Sequence, residues 1–578
     1  MASDKRIAGA SRALLRDVRS AAIHEAFDTL TEGLAALGER HKAWLAPQAL
    51  APAQQLAVMR HISGVVLRPM AAPDASGHRR EIAQYYARRH LRAIGYCLAR
   101  LESDRKASLR GIVDGPLLGL EPLDGDPHRG GQRAVALHFA EGPELIYKSR
   151  DIRIDWFVAG SAPWNGLSSA ARELNASLTR RGHPSVPTHL IVPVSDTHGY
   201  VERIGRVRDP IERRGRDRFD GILAGPVDPL RGLRLRSLDD AVAFWGAAGA
   251  LAGQLALCGV SDQHAENLLL GASMDSPAPR LHAIDCEVAF TAVASVGRTH
   301  LVPPRFGALP EPADGPHTHY GLDARAVRFC GLGLDPWSLT LGGDGRLELV
   351  SDRVAHIARS STSIVVNPDR TTGYASHVGA VIRGFVEHWR AARTQRRDLE
   401  ALARRALRGA RVRVLRKDTA CYLAAIRARE SGAPFAPHIG RAFADEDVLA
   451  FDRDELEQLD RLDVPAFDRT LGEDRIGWIE HPPSGRLLVD GAVPPQTARW
   501  WSCISRNASA QSLALSVAEL AAFVTPAGPV DVMDEVYGVR IVRSDSASAV
   551  QVVIRFPRGN AQIRLDADGG ATHWGIPE

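Results

Sequence analysis

Ser261-Asp262-Gln263-His264-Ala265-Glu266-Asn267-Leu268-Leu269-Leu270, joined across a polar turn to Leu281-His282-Ala283-Ile284-Asp285-Cys286-Glu287, decides how this chain is read. Asp262, His264 and Asn267 crowd one short loop, the three leucines leave it as a strand, and a second apolar strand ends in Asp285. A polar turn between two strands is the plain reading of such a stretch, and a motif of this size gains meaning only from its surroundings.

The spacing suits phosphoryl transfer. In protein kinases a catalytic-loop Asp takes the proton of the substrate hydroxyl, an Asn five positions on holds one Mg²⁺, and an Asp after the next strand holds the other. Asp262 and Asn267 have that separation, and Asp285 falls where the second metal ligand is needed.

At 578 residues the chain is long enough for several domains or one large enzyme with extensions. Its 45% hydrophobic and 24% charged content are those of an ordinary globular protein. A net charge of +4 is small for this length and the basic residues are spread out, so neither argues for nucleic acid. Six cysteines lie far apart with no C-x-x-C pair, which fits reduced thiols in a cytoplasm and gives no zinc framework. No apolar run follows the N-terminus to serve as a signal peptide. Ala241 to Val260 is long and nearly uncharged, but it holds Gln254 and runs straight into the Asp262 loop; it reads as a buried core helix, not a membrane span. Lysine occurs only at positions 5, 42, 106, 148 and 417, so Lys148 and Lys417 stand out as compact charges in an arginine-rich chain.

Working outward, residues 8 to 110 carry apolar positions at helical spacing, and 1–115 reads as a helical support. Strands and turns begin at Pro116. A glycine-rich turn, Gly125-Asp126-Pro127-His128-Arg129-Gly130-Gly131-Gln132, precedes the strand Ala134 to Phe139, a second turn, and the strand Leu145-Ile146-Tyr147-Lys148. Glycine backbone can lie close over phosphates, and a lysine on a strand can reach them; a simple turn is the other reading. Leu190 to Val194 and Tyr200 to Ile204 make a further strand pair. The order phosphate loop, lysine strand, linker, helix, Asp/Asn loop, metal Asp is kinase-like.

Beyond the loop, Pro303 to His319 is rich in Gly, Pro and His and reads as a long functional loop, and Val378 to Leu407 is helical. Arg411-Val412-Arg413-Val414-Leu415-Arg416-Lys417-Asp418-Thr419 can grip a phosphate through forked arginines or can form a surface salt-bridge face; the sequence leaves both open.

Together these segments resemble the dehydratase domain of class II lanthipeptide synthetases, the LanM type. The matches, in family order over roughly residues 90 to 470, are Gly125-Asp126-Pro127-His128 with Gly130-Gly131, Tyr147-Lys148-Ser149-Arg150, Gly199-Tyr200-Val201-Glu202, Ser261 to Asn267, Ile284-Asp285-Cys286-Glu287, Arg413 and Thr419 six apart with Tyr422 after them, and Asp463-Val464-Pro465-Ala466-Phe467. Ser149 stands where the family usually has proline.

The resemblance implies a lipid-kinase-like two-lobe core over 116–470; with the helical cap read over 1–115 and a partly β extension of unknown role over 471–578, outside the match, the fold class expected is α+β. It implies ATP and Mg²⁺ as cofactors, phosphorylation of Ser and Thr in a leader-bearing precursor peptide, and elimination of the phosphate to leave dehydroalanine or dehydrobutyrine. Lys148 then orients ATP phosphates with the Gly130 and Gly131 turn, Asp262 and His264 serve the transfer, with Asp262 the base, and Asn267 and Asp285 hold metal. Arg413 and Thr419 belong to the elimination, and Lys417 helps bind phosphate. No cyclase zinc element is found near Cys503, so ring closure is expected from a separate cyclase or other partner. Two alternatives remain beside this expectation: a phosphotransferase that stops at the phosphate ester, and a non-catalytic pseudo-kinase that presents a peptide.

Overall fold

The computed structural model describes residues 2–50, 56–67, 74–123, 128–207, 209–210, 231–264, 267–291, 293, 295–302, 320–322, 328–335, 338–341, 347–350, 354–360, 364–414, 416–417, 419–432, 451–472, 476–478, 500–524, 530–534, 539–543, 550–556, 559–565 and 571–574. Gly125, Asp126 and Pro127, and the loop 303–319, lie outside them.

Three helices open the chain: α1 (Ala2–His41), α2 (Leu56–Leu67) and α3 (Ala75–Asp104). Asp74 starts α3 by accepting the Gly77 N–H at 3.0 Å, satisfying one of the free donors of the first turn. Along α3, Ile82, Tyr86, Ile94, Leu98 and Leu101 recur at helical spacing and are buried.

An antiparallel sheet follows, made of β1 (Asp114–Pro122), β2 (Val135–Glu141), β3 (Leu145–Lys148), β4 (Ile191–Pro193) and β5 (Gly199–Glu202), in the order β1-β2-β3-β5-β4. Two helices, α4 (Arg153–Ala159) and α5 (Ala170–Arg180), lie between β3 and β4 in the chain. Helix α3 is bonded to the sheet through polar side chains: the Tyr200 hydroxyl donates to Asp104 at 2.7 Å, and His198 Nε2 lies 2.8 Å from the same carboxylate oxygen. The register sets Lys148 opposite Gly199.

The chain leaves this sheet through β6 (Gly205–Arg206) and makes a small pairing of β7 (Asp209–Pro210) with β8 (Arg231–Arg234) before entering α6 (Leu238–Leu257). A full capping box, Ser237 with Asp240, starts α6. The hairpin β9 (Leu268–Ser273) and β10 (Ser276–Ala283) follows, with β6 pairing along β9, so the exit from the first sheet is fastened to the strand that leaves the Asp262 loop. Beyond it come β11 (Arg328–Asp335), β12 (Ser338–Leu341), β13 (Leu347–Val350), β14 (Val354–Ser360) and β15 (Val365–Val366), the last parallel to β8.

Helix α7 (Val378–Thr394) crosses α6 at glycines, and α8 (Arg396–Ala406) continues beyond it. A Cβ on Gly249 would fall 2.0 Å from the Val381 carbonyl oxygen, and one on Gly384 2.0 Å from that of Gly246, so only glycine lets these backbones touch. This contact explains why α6 is apolar all round. Among the described residues it is the one helix long and apolar enough to cross a membrane, and 83% of that apolar window is buried inside the protein.

The remainder consists of β16 (Arg411–Val414), α9 (Thr419–Glu430), α10 (Arg453–Asp460), β17 (Phe467–Leu471), β18 (Ile476–Trp478), α11 (Cys503–Asn507), α12 (Ala510–Val524) and an antiparallel meander of β19 (Val530–Asp534), β20 (Val539–Arg543), β21 (Val550–Phe556), β22 (Gly559–Leu565) and β23 (Ala571–Trp574). The fold is a mixture of helix and sheet in the α+β manner. Its largest core runs from α4 through α8 and takes in Val517 and Leu520 of α12 and Val539, Ile541 and Val552 of the meander. A second core joins α1, α2 and α3 to Tyr422, Ile426 and Leu459, so the opening helices support α9 and α10 directly.

Candidate functional site

Helix α6 ends at Cys258, and the chain turns sharply at Gly259, where φ is 58° and a Cβ would lie 2.0 Å from the Thr291 carbonyl oxygen. Asp262 follows with φ of 62°, in the left-handed region that Asp tolerates better than most residues. Backbone bonds hold the loop from both sides: Ser261 N–H donates to Val288 O and Gln263 N–H to Thr299 O, each at 2.9 Å. Asn267 Nδ2 donates to the Asp262 carbonyl at 2.7 Å and lies 3.3 Å from His264 Nε2. Asn267 O accepts the Ile284 N–H at 3.0 Å, which ties the loop to the strand end carrying Asp285. His264 Nε2 and His300 Nδ1 stand 4.0 and 3.8 Å from Asp262 Oδ1. The three polar residues of the opening motif thus form one constellation.

Lys148 meets them from the sheet. Its Nζ donates to the Ile284 carbonyl and lies 3.8 Å from Asp285 Oδ1 and 3.9 Å from Asp155 Oδ1. Arg150 forks onto Asp155 at 2.7 and 2.9 Å, donates to Asp285, and brings its Nε within 3.3 Å of Glu287 Oε2. The other Glu287 oxygen accepts from Arg413. Lys148, Arg150 and Arg413 are therefore joined through Asp155, Asp285 and Glu287 in one continuous ion-pair chain.

The chain of charges sets the protonation of its members. Burial alone would raise the Asp285 pKa, but Arg150, then Lys148 and Arg413, bring it down to about 2. Burial likewise opposes the charge on Arg413, yet Glu287, Asp285 and Asp262 outweigh it and raise its pKa. Asp285 is thus an anion at any working pH. The neighbouring Cys286 thiol is pushed well up, by burial first and by Asp155 and Asp285 after it, which makes it unreactive.

Asp155 is a site residue outside every motif, and Arg150 and Glu287, though they close two of the matched segments, carry no role there that sequence reasoning assigned. Asp155 had a signal: it is an acid inside the otherwise apolar run from Ile154 to Ala159 of α4, where an unpaired carboxylate is costly.

The basic run at 411–417 divides. Arg413 belongs to the ion-pair chain, whereas Arg411 pairs with Asp196 at 2.9 Å and Arg416 with Asp452. Lys417, only 9% exposed, is held by Glu455 at 2.6 and 2.8 Å, and Tyr422 donates to the same carboxylate at 2.6 Å. The expectation that Lys417 binds phosphate is therefore corrected: its ammonium is a buried structural charge that braces the start of α9. Thr419 opens that helix.

The glycine turn also differs from expectation. Gly130 and Gly131, at φ of 83° and 88°, direct their N–H groups at the Asp463 carboxylate, 2.8 and 3.1 Å away, and Arg89 of α3 pairs with the same group. These amides anchor the turn to the chain before β17 and do not present an open phosphate cradle. Arg129 beside them donates to Asp468 of β17, which brings the turn close to Arg413.

This is an α+β protein whose Asp/His/Asn loop, strand lysine, buried Asp155 and half-buried Asp285 and Glu287 converge on one charged centre. A family model described as a domain of unknown function, DUF4135, matches residues 80–205, from α3 to β6, and so includes Lys148, Arg150 and Asp155. That family is associated with lanthipeptide synthetase-type proteins. No curated protein matches the chain.

Proposed function

We propose that this protein is an ATP-dependent dehydratase of a ribosomal precursor peptide, of the class II lanthipeptide synthetase type, working in the cytoplasm on a lipid-kinase-like two-lobe core. It phosphorylates Ser and Thr side chains and eliminates the phosphate to leave dehydroalanine and dehydrobutyrine. The observation that carries the reading is the ion-pair chain from Lys148 through Asp285, Arg150 and Glu287 to Arg413. It joins a lysine and carboxylate suited to phosphoryl transfer to an arginine suited to a departing phosphate.

The donor set fits Mg²⁺ and a nucleotide. Among the described residues no group of three or more His, Cys, Asp and Glu is placed to hold a metal by itself; Mg²⁺ is usually held by one or two carboxylates with phosphate and water filling its shell. Asp285 and Asn267 would hold it. ATP would supply the phosphoryl group, and Mg²⁺ would neutralise its charge.

The chain's own residues do the rest. Lys148 binds and orients phosphate oxygens from the end of β3. Asp262, kept in place by the Asn267 bond to its carbonyl and with His264 nearby, accepts the proton of the substrate hydroxyl. Arg413 neutralises the leaving phosphate, with Thr419 on the adjoining helix. Hydroxide is a poor leaving group and a phosphate ester a good one, so the order is chemically required.

The test is the intact mass of a Ser/Thr-rich candidate precursor peptide after incubation with the protein, ATP and Mg²⁺. Wild type is expected to remove one water per modified residue, and Arg413→Ala to leave phosphate adducts. Phosphate adducts from the wild type itself would make the protein a phosphotransferase only.

A further inference from the structure

Elimination also needs a group that removes the α-proton, and the geometry points to Asp468. We propose that the Asp468 carboxylate is the base of the elimination half-reaction; the inference rests on the dehydratase reading and extends it.

Strands β16 and β17 pair antiparallel with Arg413 directly opposite Asp468 and Arg411 opposite Thr470. Opposed residues in such a pair share a face, and burial bears this out: Val412, Val414, Arg469 and Leu471 are buried on one face, while Arg411, Arg413, Asp468 and Thr470 are half-buried on the other. The elimination needs a cation for the phosphate on Cβ and a base for the proton on the adjacent Cα. Arg413 and Asp468 supply those two charges from neighbouring positions on one partly exposed face.

The other carboxylates at this centre are less suited. Glu287 lies between the guanidinium groups of Arg150 and Arg413, and Asp285 is held down by the same two residues and Lys148. Asp468 accepts from one arginine, Arg129 of the glycine turn, through Oδ2, and faces Arg411 and Arg413 from β16 and Glu287 from the loop after β10. Burial, with a smaller contribution from Glu287, raises its pKa against the pull of the three arginines. It is therefore a stronger base than an ordinary carboxylate.

The step balances. Asp468 takes the Cα proton, the Cα–H electron pair becomes the Cα=Cβ bond, and the Cβ–O bond breaks with its pair leaving on the phosphate, which Arg413 holds. The products are one dehydro residue and one inorganic phosphate, and the proton passes from the Asp468 carboxyl to solvent.

The experiment uses the full chain with a panel of synthetic Ser/Thr-rich peptides, each made also with phosphoserine in place of one serine. Asp468→Asn is expected to eliminate phosphate from the phosphopeptides roughly a hundredfold or more slowly than wild type, and to accumulate phosphopeptide when given the plain peptides with ATP and Mg²⁺. Asp468→Glu is expected to restore part of the rate. With Cα-deuterated phosphoserine the wild type should show a primary isotope effect, and its elimination rate should rise with pH through the Asp468 titration, a rise absent from Asp468→Asn. These readouts separate a base from a residue that only supports the fold. Elimination by Asp468→Asn at the wild-type rate would overturn the assignment while leaving the dehydratase reading intact. A wild type that neither phosphorylates the plain peptides nor eliminates from the phosphopeptides would overturn both.

Discussion

Arg413 is tied to Glu287 twice, by its guanidinium on the Glu287 carboxylate and by its backbone N–H on the Glu287 carbonyl at 2.9 Å. The strand carrying Arg413, the arginine proposed for elimination, is thereby fixed to the segment carrying Asp285, the carboxylate proposed to hold metal, and Arg150 reaches the same Glu287 side chain from the lysine strand. Glu287→Gln keeps the shape and removes the charge shared by the two arginines. It should slow both phosphorylation and elimination, each by roughly ten- to a hundredfold, the range for partners that orient site groups. Initial rates of phosphopeptide formation and of its decay measure the two separately. A loss confined to one of them would show that Glu287 serves only that half.

Asp463 makes a comparable link, between α3 and the glycine turn. It is fully buried, pairs with Arg89, and accepts both glycine-turn N–H groups. Asp463→Asn leaves the Arg89 charge buried without its counter-ion and should destabilise the protein by about 3 kcal/mol or more. Arg89→Met added to it should recover a good part of that loss in a urea denaturation series. A double variant no more stable than the single one would place the energy in the glycine amides instead.

The C-terminal segment reaches the site through Glu519 of α12, which accepts from Ser295 Oγ at 2.9 Å and from the Gly297 N–H at 2.7 Å. That turn presents the Thr299 carbonyl to Gln263, next to Asp262. Glu519→Ala leaves two buried donors unpaired, at about 1–3 kcal/mol each. The expected result is faster hydrogen exchange at residues 295–300 and at Gln263, with a several-fold fall in phosphoryl transfer. Unchanged exchange at Gln263 would mean that the tail does not hold the loop.

The Asp262 loop, the hairpin after it and the Lys148 strand were legible because each is a local pattern: a few polar residues at fixed spacing between apolar runs. Helix α6 was legible as a core helix for the same reason. The partnerships of Asp155, Asp463 and Glu519 were not, because each joins groups far apart in sequence. Periodicity states which side of an element is buried and says nothing about what meets it there. Lys417 meets the same limit. Its compact charge among arginines was a sound signal of importance, but only the fold shows that Glu455 takes it up.

His388 gives the pH dependence of the α6–α7 crossing. It is fully buried, its Nε2 lies 2.9 Å from Gln254 Oε1, and burial brings its pKa down to about 3. In the unfolded chain a histidine titrates near 6.5. Below that pH the unfolded state takes up a proton that the folded state does not, so stability falls as pH drops from about 6.5 toward 3. At about pH 5 this one group accounts for roughly 2 kcal/mol. His388→Gln keeps a polar side chain beside Gln254 and cannot titrate. Between about pH 7.5 and pH 5 the wild type should therefore lose more unfolding free energy than the variant, by about that amount. A residual fall should persist in the variant, because burial also lowers His90 and His282, to about 3 and about 4. Equal losses in the two proteins would mean that His388 already takes up its proton within the fold, and that the helix crossing tolerates the charge.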